Sequence, residues 1–216
     1  MDELKTLIDG YKRFYKKFFE EQKELDKNLF IKPQTPKFLV ISCCDSRVNP
    51  SQIMDTKPGD IFVIRNVANL VPTNESDGKP HSVGAAIEFA VKHLRIKHII
   101  VLGHSQCGGI RALMEGKHSG DEYDFIDPWM DIAKKARENV LKDHKDKSFN
   151  DQCSYCEKAS IKISLNNLMA FPWIKQKCES GELNIHGWYF DMETGSLLSK
   201  QGETFLPVDK LSLIHI

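Results

Sequence analysis

Two short segments carry the residue types that bind metals. Cys43-Cys44-Asp45-Ser46-Arg47 sets two thiols beside an acid and a base, and His104-Ser105-Gln106-Cys107-Gly108-Gly109 sets an imidazole three residues before another thiol. A His and a Cys at that spacing can aim at one point from a turn entering a helix, and a thiol from a neighbouring strand end completes a set of two Cys and one His, which favours zinc. Three protein ligands leave one position of a tetrahedral ion open, whereas a closed structural site needs another Cys or His. Cys44, Cys153 and Cys156 are the candidates for such a fourth ligand. Alternate residues of an extended segment share a face, so Cys43, Asp45 and Arg47 fall on one side and Cys44 and Ser46 on the other. With Cys43 as ligand, Asp45 stands beside the metal and Arg47 beside Asp45. With Cys44 as ligand, the acid–base pair points away, so Cys43 is the economical choice. Each feature also has an ordinary reading: a polar turn for Asp45-Ser46-Arg47, a loop histidine for His104, a small buried apolar group for Cys107. All of these holding together at two strand ends is the weaker account.

Cys153-Ser154-Tyr155-Cys156 is the competing motif, since a pair of cysteines at this spacing can be half a zinc site or a redox pair. No second such pair and no nearby histidine follows it, and the adjoining "EKAS" is unremarkable. Cys153, Cys156 and Cys178 therefore read as packing residues or adventitious thiols.

Both metal-type segments directly follow short apolar runs, "FLVIS" from Phe38 and "KHIIVLG" from Lys97; "DIFVIRNV" from Asp60 is a third. Runs apolar on both faces suit the buried strands of a parallel sheet, and sites in such sheets form beyond the carboxyl ends of the strands. "SVGAAIEFAVKHL" reads as a helix with Ser82 as its N-cap, and "IRALMEG" as another. Residues 125–147 read as helical and solvent-facing, and "EKASIKISLNNLMAF" as a further helix. "LNIHGWYFDMETGSLLSK" alternates about a turn at Glu193–Ser196 and reads as a strand pair; the tail "KLSLIHI" is a candidate edge strand. The expected class is α/β, a mainly parallel central sheet flanked by helices. Residues 3–30 read as a helix with Leu4, Leu7, Ile8, Tyr11, Phe14, Tyr15 and Phe18 at helical spacing. This stripe covers either its own domain or a second subunit. The simplest organisation is one domain over 1–216, with 1–30 as a helical arm.

Composition narrows the function classes. The chain has 216 residues, enough for a real hydrophobic core. Lysine plus arginine equals aspartate plus glutamate at 30 each, so there is no electrostatic case for nucleic acid or an anionic membrane. No apolar run approaches the roughly 20 residues of a membrane span. The charged N-terminal stretch has no signal-peptide core, and the six cysteines then read as reduced thiols in a cytoplasmic protein.

At "CCDSR" with "HSQCGG" the chain resembles the β-class carbonic anhydrases, whose pattern is Cys-x-Asp-x-Arg followed by His-x-x-Cys-Gly-Gly. The resemblance continues through "GDIFVIRNVANLVP", "GAAIEFAVKHL", "CSYCEKASIKISLNNL" and "HGWYFDMETGS", and spans roughly residues 33–200. It implies one zinc per subunit on Cys43, His104 and Cys107, an Asp45–Arg47 dyad, a mainly parallel sheet, and a homodimer or higher assembly embraced by N-terminal helices. Some members carry a tryptophan three residues before the first zinc cysteine, at a non-catalytic bicarbonate site; Val40 stands there in this chain. The plant-like members, with an open zinc site, have a substrate-binding glutamine nine residues before that cysteine, which matches Gln34. Their pocket phenylalanine, valine and tyrosine match Phe62, Val67 and Phe89, so one hydroxyl is missing here.

The activity the resemblance implies is reversible hydration of carbon dioxide to bicarbonate and a proton, by attack of zinc-bound hydroxide oriented by the dyad. Gln34 and the backbone N–H of Gly108 are expected to donate to product oxygens. Two thiolate ligands donate more negative charge than imidazoles, which favours activity at alkaline pH. Two other readings keep the fold: hydrolysis of carbon disulfide or carbonyl sulfide, and a non-catalytic, zinc-stabilised protein that binds bicarbonate.

Overall fold

A computed structural model describes residues 2–21, 30–74, 77–116 and 125–210. Six strands form one sheet: β1 (Phe38–Cys43), β2 (Ile61–Asn66), β3 (His98–His104), β4 (Asn184–Phe190), β5 (Leu197–Gln201) and β6 (Thr204–Pro207). Their order is β2-β1-β3-β4-β5-β6. The first four run parallel, and β5 and β6 close the far edge as antiparallel strands. The apolar runs predict the parallel strands β1, β2 and β3 but not their order, and β2, expected to be covered on both faces, is an edge strand in which only Ile64 is buried. Leu39 to Cys43 of β1 and Ile99 to His104 of β3 are buried without interruption, as strands covered on both faces require. β4 and β5 are the expected pair about Glu193–Ser196, while β6 is an edge strand the sequence reading missed. The proposed terminal strand lies largely outside the described residues.

The helices are α1 (Asp2–Tyr15), α2 (Pro50–Ile53), α3 (Ser82–Glu88), α4 (Gly108–Glu115), α5 (Ile126–Met130), α6 (Lys134–Asp143), α7 (Phe149–Met169) and α8 (Pro172–Glu179). α1 continues in wider turns over Lys16–Glu21, and α3 likewise over Phe89–His93. Several expectations change in detail. Ser82 is the first helical residue of α3 rather than its cap; His81 holds that position without a side-chain capping bond to the helix. The 125–147 segment is two helices, and it is not simply solvent-facing, because Met130, Ala133, Ala136 and Val140 turn into the core. α7 starts at Phe149, capped by the Ser148 hydroxyl on the Asp151 N–H at 3.1 Å, so Cys153 and Cys156 lie inside a helix rather than ahead of one. Among the described residues no helix is long and apolar enough to cross a membrane.

The main core lies between the sheet and helices α3, α7 and α8, around Leu39, Ile41, Ile99, Val101, Ile87 and Ile161. A second cluster, with Leu70, Ile110, Met130, Ala133 and Cys156, encloses Cys43 and Cys107. α7 lies very close to the sheet. A Cβ at Gly103 would sit 2.7 Å from Ile161 Cδ1, and one at Gly187 would sit 2.8 Å from Ile161 Cγ2. Gly103→Ala should therefore destabilise the fold by about 1–3 kcal/mol through overpacking. A urea midpoint checks this, and Ile161→Val in the same chain should recover part of the loss by removing Cδ1.

Candidate metal centre

Cys43 ends β1 and His104 ends the neighbouring parallel strand β3, so both reach the same carboxyl edge. Cys107 follows one turn later, at the N-cap position of α4. Their ligand atoms all lie within 4.8 Å of one another, all three residues are buried, and no other such group of three occurs among the described residues. His104 Nδ1 lies 2.8 Å from the Ser105 carbonyl oxygen, which accepts its proton and leaves Nε2 as the free lone pair. That Nε2 is buried without a hydrogen-bond partner. An orphaned imidazole nitrogen facing two buried thiols fits a zinc ion, whose bonds to N and S are about 2.0–2.3 Å. The two thiols form a coupled pair sharing one proton: the adjacent Cys107 S–H lowers the Cys43 thiol, and the Cys43 thiolate in turn holds the Cys107 proton on.

The strand ends at Cys43, with the Cys44 N–H donating to the Asn66 carbonyl at 2.9 Å as the last rung. The chain then turns, the Val48 N–H donating to the Asp45 carbonyl at 3.0 Å. Asp45 Oδ1 accepts from the Arg47 backbone N–H and from Arg47 Nε, each at 3.0 Å, while Oδ2 accepts from Nη2 at 2.7 Å. This two-pronged pairing holds the Asp45 carboxyl well below the usual carboxylate range. The Asp45 N–H points at Cys43 Sγ, 3.4 Å away. Asp45 and Arg47 thus meet through a turn closed on a side chain, not through the strand alternation inferred from sequence. Cys44 is exposed and outside the ligand group.

Arg65 was missed in the sequence reading. Its guanidinium donates to the carbonyls of Cys43 at 3.0 Å, Asp45 at 2.6 Å and Val48 at 3.0 Å, tying the whole turn to β2. The available signal was a charged residue inside an otherwise apolar strand. Glu157, in the segment dismissed as unremarkable, is 3% exposed and accepts from the Cys107 N–H at 3.0 Å.

The other expected substrate residues divide into two groups. Val67 and Gly108 lie by the triad and line one cavity of about 480 Å³; the Val67 carbonyl is held by Trp129 Nε1 at 2.8 Å. Phe62 pairs in register with Leu39, and Asn66 with Cys43, which places Phe62 about 13 Å down the strand at roughly 3.3 Å per residue. Phe89 stands with Phe62, ring centroids 6.0 Å apart. Gln34 is exposed in the connector leading to the amino end of β1. Cys153 and Cys156 are buried under α4 and take no part in the ligand group. Burial pushes the Cys156 thiol up to about 12, which makes it unreactive.

The family profile described as carbonic anhydrase matches residues 38–197, which includes every element of this centre. Beta carbonic anhydrase 3 of Arabidopsis thaliana is 38% identical over 198 residues, covering 91% of this chain and 76% of that protein. The chain belongs to the β-carbonic anhydrase family. A second member from the same plant, the chloroplastic beta carbonic anhydrase 5, is 44% identical over 191 residues, covering 88% of this chain. This chain spans 61% of that relative's length. Among solved members, the β-carbonic anhydrase CcaA superposes with a TM-score of 0.91 at 30% identity, over 99% of this chain and 94% of its own. A tetrameric β-carbonic anhydrase of Sordaria macrospora superposes at 0.81 and 26% identity, over 92% of this chain and 97% of its own.

Proposed function

We propose that the protein catalyses the reversible hydration of carbon dioxide to bicarbonate and a proton. The observation that carries this reading is the buried Cys43–His104–Cys107 group with a paired Asp45–Arg47 at its rim. Zinc held there supplies, when bound, the Lewis acidity that makes a hydroxide nucleophile available near neutral pH, a property for which carbonic anhydrases are the standard illustration. The chain's own residues do the rest. Asp45, ionised and locked by Arg47, is an acceptor only, so it can take a hydrogen bond from the nucleophile and orient it. The pairing would also keep the carboxylate from swinging onto a metal held by Cys43, His104 and Cys107. Gly108 N–H, at the start of α4, is a donor for a product oxygen, and Val67 supplies an apolar wall.

Gln34, Phe62 and Phe89 lie at the other end of β1 and β2. In this reading they serve substrate from a neighbouring copy of the chain, whose metal edge the exposed Gln34 and Phe89 would meet. The N-terminal arm favours the same assembly: in α1, Leu7 is 71% and Tyr11 61% exposed. Residues 1–216 then form one domain, with 1–30 as an arm across a partner. Light scattering should give a dimer or higher oligomer, and deleting residues 1–30 should dissociate it; a monomeric full-length chain would refute this assembly.

Stopped-flow carbon dioxide hydration by the zinc-loaded protein tests the activity itself. Activity should rise toward alkaline pH, since two thiolates disfavour further negative charge at the centre; a profile with its midpoint well below neutrality would contradict that. Turnover of carbon disulfide or carbonyl sulfide without carbon dioxide hydration would shift the assignment to a hydrolase of the same fold.

A further inference from the structure

Glu157 is the ninth residue of α7, and a carboxylate there is costly: buried charge is tolerated only when its oxygens are satisfied. Both are. Oε1 accepts from the Cys107 backbone N–H at 3.0 Å and Oε2 from the Tyr189 hydroxyl at 2.8 Å. Neither donor is a cation, so the arrangement is not an ion pair in which Glu157 neutralises a buried positive charge.

The bond to Cys107 falls where the backbone is under strain. Gln106, the preceding residue, has φ 57°, a left-handed conformation that non-glycine residues rarely adopt. Its peptide with Cys107 sets where the Cys107 side chain starts. At the N-cap, the Cys107 N–H has no acceptor within α4, and Cys107 is only 2% exposed, so water does not replace one. Glu157 supplies the acceptor. Tyr189 stands on β4 opposite Gly103 of β3, one residue before His104, so the second oxygen is anchored to the strand next to the one that carries the imidazole.

We infer that Glu157 is a positioning residue for the metal centre, its carboxylate holding the strained Gln106–Cys107 peptide so that the Cys107 thiol stays aimed at Cys43 and His104. This rests on the zinc reading above. Groups that orient metal ligands from behind typically change metal affinity about 10- to 100-fold when removed.

The test is retention of zinc by the loaded protein against excess pyridine-2,6-dicarboxylate. Glu157→Leu should lose zinc about 10- to 100-fold faster than the parent. Glu157→Gln should stay within about threefold, because its amide oxygen still accepts from Cys107 and its NH2 can donate to the Tyr189 oxygen. Tyr189→Phe should lose zinc a few-fold faster, by freeing one carboxylate oxygen. Leu168→Ala, a buried change on the same helix away from the site, should lower the melting temperature and leave zinc loss near the parental rate. If Glu157→Leu behaves like Leu168→Ala, or Glu157→Gln loses zinc as fast as Glu157→Leu, the inference is overturned. Should Glu157→Leu fail to fold, Tyr189→Phe decides, with a parental rate overturning the proposal. A parent chain that binds no zinc at all would instead overturn the metal reading itself.

Discussion

Cys43→Ser should abolish zinc binding and carbon dioxide hydration, while Cys44→Ser, one residue on, should leave both unchanged. The contrast follows from orientation. The Cys43 thiol is buried within the ligand group, whereas Cys44 is exposed and outside it. A serine oxygen is a poor replacement for a thiolate on zinc, and losing one of three protein ligands opens the site to water. Zinc measured after gel filtration should drop from one per chain to a trace, and kcat/KM should fall by at least about a thousandfold, since the nucleophile depends on the metal. Circular dichroism should show that Cys43→Ser remains folded, because the sheet does not hang on the metal: β1 is held by β2 on one side and β3 on the other. Equal loss in both variants would mean that the adjacent thiols act together, and would overturn the assignment of the ligand.

Arg47→Ala should keep the zinc and lose the activity. Arg47 makes three hydrogen bonds to the Asp45 carboxylate, two from its guanidinium. In the proposed mechanism, the carboxylate without the guanidinium would be free to rotate toward the metal and displace the nucleophile it orients. A fall in kcat/KM of about 100-fold or more is expected from the loss of a preorganised acceptor. X-ray absorption at the zinc edge should then report a carboxylate oxygen in place of a solvent ligand. Arg47→Lys should be intermediate, because an ammonium keeps the charge but not the planar two-pronged geometry. The pairing also has a pH signature. Asp45 is depressed in the folded chain, so its contribution to stability is present above the unfolded carboxyl value of about 4 and fades as pH falls through the lower folded value. Parent and Arg47→Ala should therefore differ most in stability near neutrality and converge in strong acid. A variant that keeps full activity would remove the locking role from Arg47.

Much of the chemistry was legible in one dimension because it sits at strand ends. A run such as Phe38–Cys43 can be read as buried from its residue types alone, and a polar motif directly after it must lie at the sheet's edge. His104 and Cys107 are bound by the same logic, one ending β3 and the other opening α4. What the motif did not reveal was how Asp45 and Arg47 meet. The alternation argument reached the right neighbours by the wrong geometry, because the strand stops at Cys43 and a turn closes the pair.

The residues that were missed all act across long sequence distances. Arg65 sits on β2 and grips the carbonyls of Cys43, Asp45 and Val48. Glu157 sits on α7, 50 residues from the Cys107 N–H it accepts. Neither belongs to a spaced motif, and each would pass for an ordinary charged residue. The same limit explains Gln34, Phe62 and Phe89, whose places depend on strand register and, in the assembly proposed above, on what a second copy would cover.

The sequence by itself determined the donor types, their order and the strand ends that carry them, since local spacing and apolar runs decide those. Only the tertiary structure decided that Nε2 is the free nitrogen of His104, that a turn rather than the strand brings Asp45 onto Arg47, and that a buried carboxylate stands behind Cys107. These depend on hydrogen-bond partners brought together by packing of α7 on the sheet, and no local pattern of residues records which partners those will be.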